Sequence, residues 1–556
     1  MNQKLIKILA LLWGIMLFQC STNITNPNDN FEVEKLKSIC NVWGLLKYYH
    51  PGVGSGEIDW DNKLIDLLQK SEKVSDKSQF NQLIENLIES CNNYSVIKID
   101  SNILAGEIKY VHDFLWLEDT SYISYRNTTA LRNIINSKKP YINYYVSQNT
   151  DIGNLNFDNE KSYSDSTFPS KNLRLLSLFR YWNIINYFYP HLELNDTPWE
   201  SILNNYIPKF MSSNDTLDYH LLVQELTSQL NDGHVWTESM EISFHWGIYS
   251  PPYKLRCIDK KPVINALFPD SLGILYDITI GDEILSINGK SIEDIINNRL
   301  KYFSFSNPNQ YYRRIFEELL ITSNSDSIIL VIKRNGKASQ TTLPTFFLYD
   351  LYQILDREEI CRPTFEVIGD SIGLINLRYL EKAEVNPMMD SLLDLDKIII
   401  DIRNYPHGVL YELSKYLNPR PTDFATVFMP DLNRPGNFIW WEKPLQTGVY
   451  NDNYYKGEIV LIVNEQTQSH AEFTAMCLQT SPNLTTIGSM TAGADGNVSY
   501  IILPGDIYTY FTGIGIEYPD GTPTQRVGIK IDSIVLPQVQ DIKNNYDRLL
   551  DCAIHL

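Results

Sequence analysis

Near the C-terminal end, "NEQTQSHAEFTAM" (464–476) sets Ser469 and His470 side by side after an apolar run. The chemistry this suggests is nucleophilic, because a serine hydroxyl attacks a carbonyl once a base takes its proton. "GEIVLIVNEQTQSHAEFTAMCLQT" reads as strand, short turn and helix, with Ser469 at the helix's first turn. A hydroxyl there suits a plain N-cap, but helix-terminal N–H groups also stabilise a developing oxyanion. Successive helical residues point about 100° apart and do not face each other, so His470 is badly placed to serve Ser469. "NDGHVWTES" (231–239) offers another base, His234, in a turn after an amphipathic helix. Its near-neutral pKa suits it to take and return a proton. The competing reading is a helix-terminal histidine satisfying loop carbonyls.

Other segments must position these two. "SIGLINLRYL", "KIIIDIRNY", "EIVLIVNE" and "LTTIGSM" read as strands, alternating with helical "PMMDSLLDL", "LYELSKYL" and "HAEFTAMCLQT". That alternation predicts an α/β layered core over 360–556. Upstream, "LKSICNVWGLLKYYHPGVGSGEIDWDNKLIDLL" (36–68) resembles "LLSLFRYWNIINYFYPHLELNDTPWESILNNYI" (175–207). Both run from an apolar helix through Tyr-Tyr or Tyr-Phe-Tyr, Pro and His to a Trp and a second helix, which predicts a duplicated helical unit. The first copy spans 35–160 as a helical and mixed domain; the second spans 170–240 and carries His234. His50 and His191, beside the prolines, read as helix-end residues, and polar "EKSYSDSTF" (160–168) reads as a linker between the copies. Between about 247 and 345 short strands dominate, with an Asn-Gly hairpin in "DSIILVIKRNGKASQTTLP". "GDEILSINGKSI" in this stretch resembles the strand–turn–strand of a PDZ domain, a fold that binds extended peptide by strand addition. "FSFSNPNQYYRRIFEEL" exceeds what a minimal domain of that kind needs, so an altered groove is expected.

The chain is 556 residues long, beyond a single core, and its 43% hydrophobic and 21% charged residues are those of globular domains. Its net charge of −20 argues against nucleic acid as a partner. Residues 1–19 carry Lys4 and Lys7, then an apolar run from Ile8 to Phe18, and read as a signal peptide. Cys20 directly after it predicts a lipid anchor, with a polar tether over 20–34. The expectation is therefore an exported protein held at the cell envelope (periplasm or outer membrane) through that lipid alone. The six other cysteines include no CxxC pair, and most read as buried free thiols.

Taken in order, "LNDGH" before the PDZ-like stretch, "DIRNYPHG" (401–408), "QSHAE" and "GIKID" resemble the S41 serine peptidases, the C-terminal-processing and tricorn-like family. The resemblance covers roughly 170–540. It implies a multidomain α+β protein with a ClpP/crotonase-like core, no metal or organic cofactor, and a protein or peptide substrate, collected by its C-terminus through the PDZ-like domain. One branch of the family uses a Ser-Lys dyad with the lysine in the loop around 491–496. That loop is "TAGADG" here, and no lysine lies between Lys456 and Lys530. The tricorn-like branch uses the histidine of the "DGH" position. The resemblance thus implies Ser469 as nucleophile and His234 as general base and acid, with an oxyanion hole from backbone N–H groups of His470 and of the His407–Gly408 turn. Two positions depart from that branch's pattern: Gly233 stands where it has a serine, and Gln525 where it has a supporting glutamate. Asp232, Glu238 or Glu472 are the carboxylates able to take that support, Glu472 from the same helix face as Ser469. The alternative reading is a non-catalytic peptide-binding protein that keeps the fold, and a third is an esterase using the same serine.

Overall fold

The computed structural model describes residues 27–91, 106–137, 142–268, 272–316, 323–351 and 363–556. The expected signal, Cys20 and Cys361 lie outside them. Among the described residues no helix is long and apolar enough to cross a membrane. Cys40, Cys91 and Cys477 are buried free thiols, while Cys257 and Cys552 are half-buried.

Two helical segments open the fold. Pro27–Tyr49, Trp60–Ser71 and Lys77–Ser90 form the first; Lys171–Phe188, Trp199–Ser212 and Thr216–Thr227 form the second. Asp59, Asp76 and Asp215 cap three of these helices by accepting a backbone N–H. Each segment locks its first two helices with the same reciprocal indole pair. Trp43 Nε1 donates to the Trp60 carbonyl and Trp60 Nε1 to that of Trp43, both at 3.0 Å. Trp182 and Trp199 repeat the exchange at 3.0 and 3.1 Å. Each buried indole N–H is thereby satisfied without a side-chain partner. The segments expected as separate domains share one hydrophobic core, running from Leu36 to Val235 and including Ile501, Leu503, Ile507 and Phe511. Their long helices touch where Asn183 lies over Gly44; a Cβ there would stand 1.7 Å from Asn183 Oδ1.

The stretch expected as a linker begins with a buried residue. Glu160 is 4% exposed and takes Lys47 Nζ at 2.5 Å and Arg180 Nε at 2.8 Å. Arg180 also reaches Asp61 at 2.7 Å. Burial works against the charged form of Asp61, but Arg180 and Lys47 outweigh it and hold the carboxyl below its ordinary range. Two acids and two bases thus pin 160–163 between the helical segments, and polar composition hid the burial.

The middle domain is a sheet in the order Lys337–Pro344, Ser327–Arg334, Glu283–Ile287, Lys261–Leu267, Tyr253–Ile258. Asn335 and Gly336 turn its hairpin with φ of 50° and 80°, as the Asn-Gly pair requires. Ser291 caps the helix Ile292–Arg299. The excess sequence forms a loop from 304 and a short helix, Pro308–Arg314.

In the C-terminal part Phe365–Ile368 pairs antiparallel with Ile372–Asn376. Lys397–Asp401, Glu458–Val463, Leu484–Gly488 and Ser533–Ile534 then add in parallel. Parallel strands buried on both faces read as unbroken apolar runs, which is why "KIIID" and "EIVLIV" show no alternation. Ile398, Ile400 and Leu461 face a core shared with the helices Lys382–Leu392, Leu410–Leu417 and His470–Leu478. Ile399, Val460 and Ile462 face Leu549 and Ala553 of the last helix, Arg548–His555. A second sheet centres on Thr422–Pro430, flanked by Phe438–Trp440, Leu445–Thr447 and Gly515–Glu517. Ile108–Tyr110, from the helical half, pairs with Phe438–Trp440 and joins the two halves by backbone.

Gly44→Ala should destabilise the protein by about 1–3 kcal/mol in urea unfolding, the cost of overpacking a core. Combining it with Asn183→Ala should recover part of that loss. A purely additive double variant would show that the contact at Gly44 does not limit the packing.

Candidate active site

Ser469 stands immediately before the helix His470–Leu478, with φ 58° and ψ −124°. A serine there is strained, since this backbone region favours glycine. Its own N–H donates to the Ala494 carbonyl at 2.9 Å. The loop 491–494 is held by Glu472, which is fully buried. Glu472 accepts from Thr491 Oγ1 at 2.5 Å and from the N–H groups of Gly493 and Ala494 at 2.9 and 3.0 Å, with the Ser469 N–H at 3.3 Å. Burial pushes this carboxyl up, and those four donors restrain the rise. Glu472 therefore fixes the serine's backbone and the loop in front of it, and it does not contact His234.

His234 follows the turn that ends the second helical segment. Its Nδ1 lies 2.8 Å from Thr512 Oγ1. Its Nε2 is buried and has no hydrogen-bond partner among the described residues. Burial pushes the imidazole below its ordinary pKa; the nearby Asp232 charge opposes this and Arg314 adds to it. Asp232, with no exposed surface, is the carboxylate beside His234. Glu238 is exposed at its backbone strand and meets Tyr510 instead. Gln525 donates to Asp232 Oδ1 at 3.3 Å, so the amide acts on the carboxylate and not on the imidazole.

The serine and histidine loops are tied together. Gln468 Nε2 donates to the Gly233 carbonyl at 3.3 Å, which joins the residue before Ser469 to the residue before His234. The middle domain reinforces this tie. Gln310 Nε2 reaches the same carbonyl at 3.3 Å and Gln468 Oε1 at 3.1 Å. Ser306 Oγ accepts from the Gly233 N–H at 2.7 Å, and Asn307 Nδ2 donates to the carbonyls of Thr491 and Ala492 at 2.8 and 2.9 Å. Gly233 is explained by the same contacts: a Cβ there would fall 2.0 Å from Gln310 Nε2. The excess segment 304–314, expected to alter a peptide groove, is thus a clamp across both loops. Sequence reasoning missed Gln310 and Thr512, because neither lies in a motif.

The turn at 407–408 needs one correction. Its positive φ, 66°, falls on Gly408. The His407 N–H is engaged with the Leu377 carbonyl at 3.4 Å, which removes it from an oxyanion hole. The His407 side chain is half-exposed and meets Glu381 at 3.0 Å. Gly408 and His470 remain as the backbone N–H groups without an acceptor among the described residues. The His470 imidazole lies near Gly408, 3.8 Å from where a Cβ would stand, with Tyr405 and Phe473 as ring neighbours. It makes no hydrogen bond to Ser469.

Residues 371–535 match the model of peptidase family S41. The chain carries an S41 peptidase domain. That makes it a serine-type peptidase, with protein or peptide as substrate class. Among solved structures, the chain is similar to mature CPAF complexed with lactacystin, at 14% identity over 69% of this chain and 97% of that one, with a TM-score of 0.54. It is similar to mature CPAF at 15% identity over 69% and 96%, also with a TM-score of 0.54. The photosystem II D1 C-terminal processing protease gives 14% identity over 69% and 100%, with a TM-score of 0.40. No curated protein matches the chain.

The strain at Ser469 is measurable. Ser469→Gly and Ser469→Ala both remove the hydroxyl, but only glycine relaxes the backbone. Ser469→Gly should exceed Ser469→Ala in unfolding free energy by about 1 kcal/mol, the strain relieved less glycine's own entropy cost. Equal stabilities would show that the turn is not strained.

Proposed function

We propose that this peptidase cleaves its substrate through an acyl-enzyme on Ser469, with His234 as general base and then acid. The observation that carries this is the bare, buried Nε2 of His234, on a loop bonded to the residue before Ser469. Ser469 Oγ attacks the scissile carbonyl carbon as its proton passes to Nε2. The oxyanion that forms faces the N–H groups of His470 and Gly408. Collapse breaks the C–N bond, and the leaving amine takes the proton from Nε2. Water then attacks the acyl carbon, His234 again accepts the proton, and serine departs with it.

The finer parts of the reading rest on separate supports. The matching indole pairs favour a duplication of the helical unit. The hairpin, capped helix and sheet of 253–344 favour a PDZ-like domain that collects peptide ends. Lys4, Lys7, the apolar run and Cys20 favour export with a lipid anchor at the cell envelope. Gln525, in place of an acid, favours the second reading, a binding protein that keeps the fold.

Labelling of the whole signal-free protein with a fluorophosphonate separates these. Label should form on wild type and be lost in Ser469→Ala, and in His234→Ala the rate should fall by about 10²–10⁴-fold, the usual contribution of a general base. A folded wild type that takes no label, with or without added peptides, would favour the binding protein. The pH profile carries a further expectation. Burial lowers the folded pKa of His234, so the neutral base should persist to lower pH than a free imidazole allows. The acid limb of labelling should therefore fall below the ordinary histidine value of about 6.5. An acid limb above it would sink His234 as the base.

A further inference from the structure

Thr512 ends the strand Ile507–Thr512, which pairs on one side with Val498–Leu503 and on the other with Thr237–Glu238. Those pairings bring its hydroxyl between two groups from one turn. Thr512 Oγ1 lies 2.9 Å from Asp232 Oδ1 and 2.8 Å from His234 Nδ1. Asp232 itself is 3.9 Å from Nδ1, too far for a direct hydrogen bond.

The protons can be counted. A threonine hydroxyl has one proton to give and lone pairs to receive. Backbone N–H groups only donate. The Thr512 N–H points at Asp232 Oδ2 at 2.8 Å and the His234 N–H at Oδ1 at 3.0 Å. The Gln525 amide adds a further donor to Oδ1 at 3.3 Å. Both carboxylate oxygens are therefore acceptors, and the Thr512 proton goes to Asp232. Only lone pairs of Thr512 then face His234. Nδ1 must carry hydrogen, and Nε2, the nitrogen without a partner, is left bare.

We propose that Thr512 and Asp232 are a positioning pair that holds His234 in its Nδ1–H tautomer, with the threonine hydroxyl bridging the two. This rests on His234 as the base. When Nε2 takes the serine proton, the Nδ1–H bond to Thr512 strengthens and the hydroxyl's own bond to Asp232 strengthens with it. No proton moves along the bridge. The other groups that bear electrostatically on the imidazole are Arg314, which opposes its positive form, and His191, itself buried and pushed down to about 4. Asp232 is then the one negative charge among these groups, delivered through a hydroxyl. Gln525, at the position where the family resemblance implies a supporting acid, instead helps hold that charge in place.

The test uses the whole signal-free protein, the variants Thr512→Val and Thr512→Ser, and two readouts. Nitrogen-15 shifts of labelled histidine report the tautomer, assigned to His234 by its loss in His234→Ala. Wild type and Thr512→Ser should show Nδ1–H. Thr512→Val should show a mixture with Nε2–H and should take fluorophosphonate about 10–100-fold more slowly, a smaller loss than removing the general base itself. Thr512→Ser should recover most of that rate. Nε2–H in wild type, or Thr512→Val with unchanged shifts and rate, overturns the proposal. If wild type takes no label the catalytic reading fails by itself, and the tautomer of wild type still judges the pair. Should Thr512→Val fail to fold, Thr512→Ala read by the same shifts serves in its place.

Discussion

A carboxylate with no exposed surface destabilises a fold by several kcal/mol unless donors surround it. Asp232 meets that demand with four: the backbone of His234, the backbone and hydroxyl of Thr512, and the amide of Gln525. These donors come from three elements, the first of them about 280 residues before the other two. The end of the second helical segment, the end of the central strand of an antiparallel sheet and a late loop must all be correctly docked before the charge is satisfied. Placement of His234 is therefore a by-product of satisfying Asp232, and the histidine inherits the rigidity of the whole junction.

Ser469 is held by a different buried acid. Glu472 collects the 491–494 loop and the Ser469 N–H. Two carboxylates thus organise the two halves of the site, and the amides of Gln468 and Gln310 bridge them over the Gly233 carbonyl. Amides are neutral and hold geometry without altering the local charge. The potential at His234 is accordingly set by Asp232 and Arg314.

Much of this was legible in the residues. The α/β core followed from strands alternating with helices, and the hairpin from Asn-Gly. Ser469 was legible because strand, turn and helix leave a recognisable trace, and His234 because a turn follows a clear helix. Long-range polar contacts were not legible. Glu160 looked like linker because a single charged residue carries no sign of the lysine and arginine that bury it. Gln310 and Thr512 were invisible because their roles depend on docking between segments about 80 and 280 residues from His234, and no local pattern encodes that. His407 was misread at the level of backbone: a turn shows which residue takes a positive φ, but not which N–H is already engaged.

The stretch that matches the family, residues 371–535, contains Ser469, Gly408 and Thr512. It does not contain His234 or Gln310. On the proposed reading that stretch is only half a chemical machine, and the portion that activates it belongs to segments with far weaker sequence signatures. Grafting the matched region onto another protein would carry over a strained serine and an oxyanion cradle with nothing to withdraw the proton. Natural drift has the same asymmetry. A lineage could silence the enzyme by altering the helical half alone, and its peptidase region would still be recognised as intact.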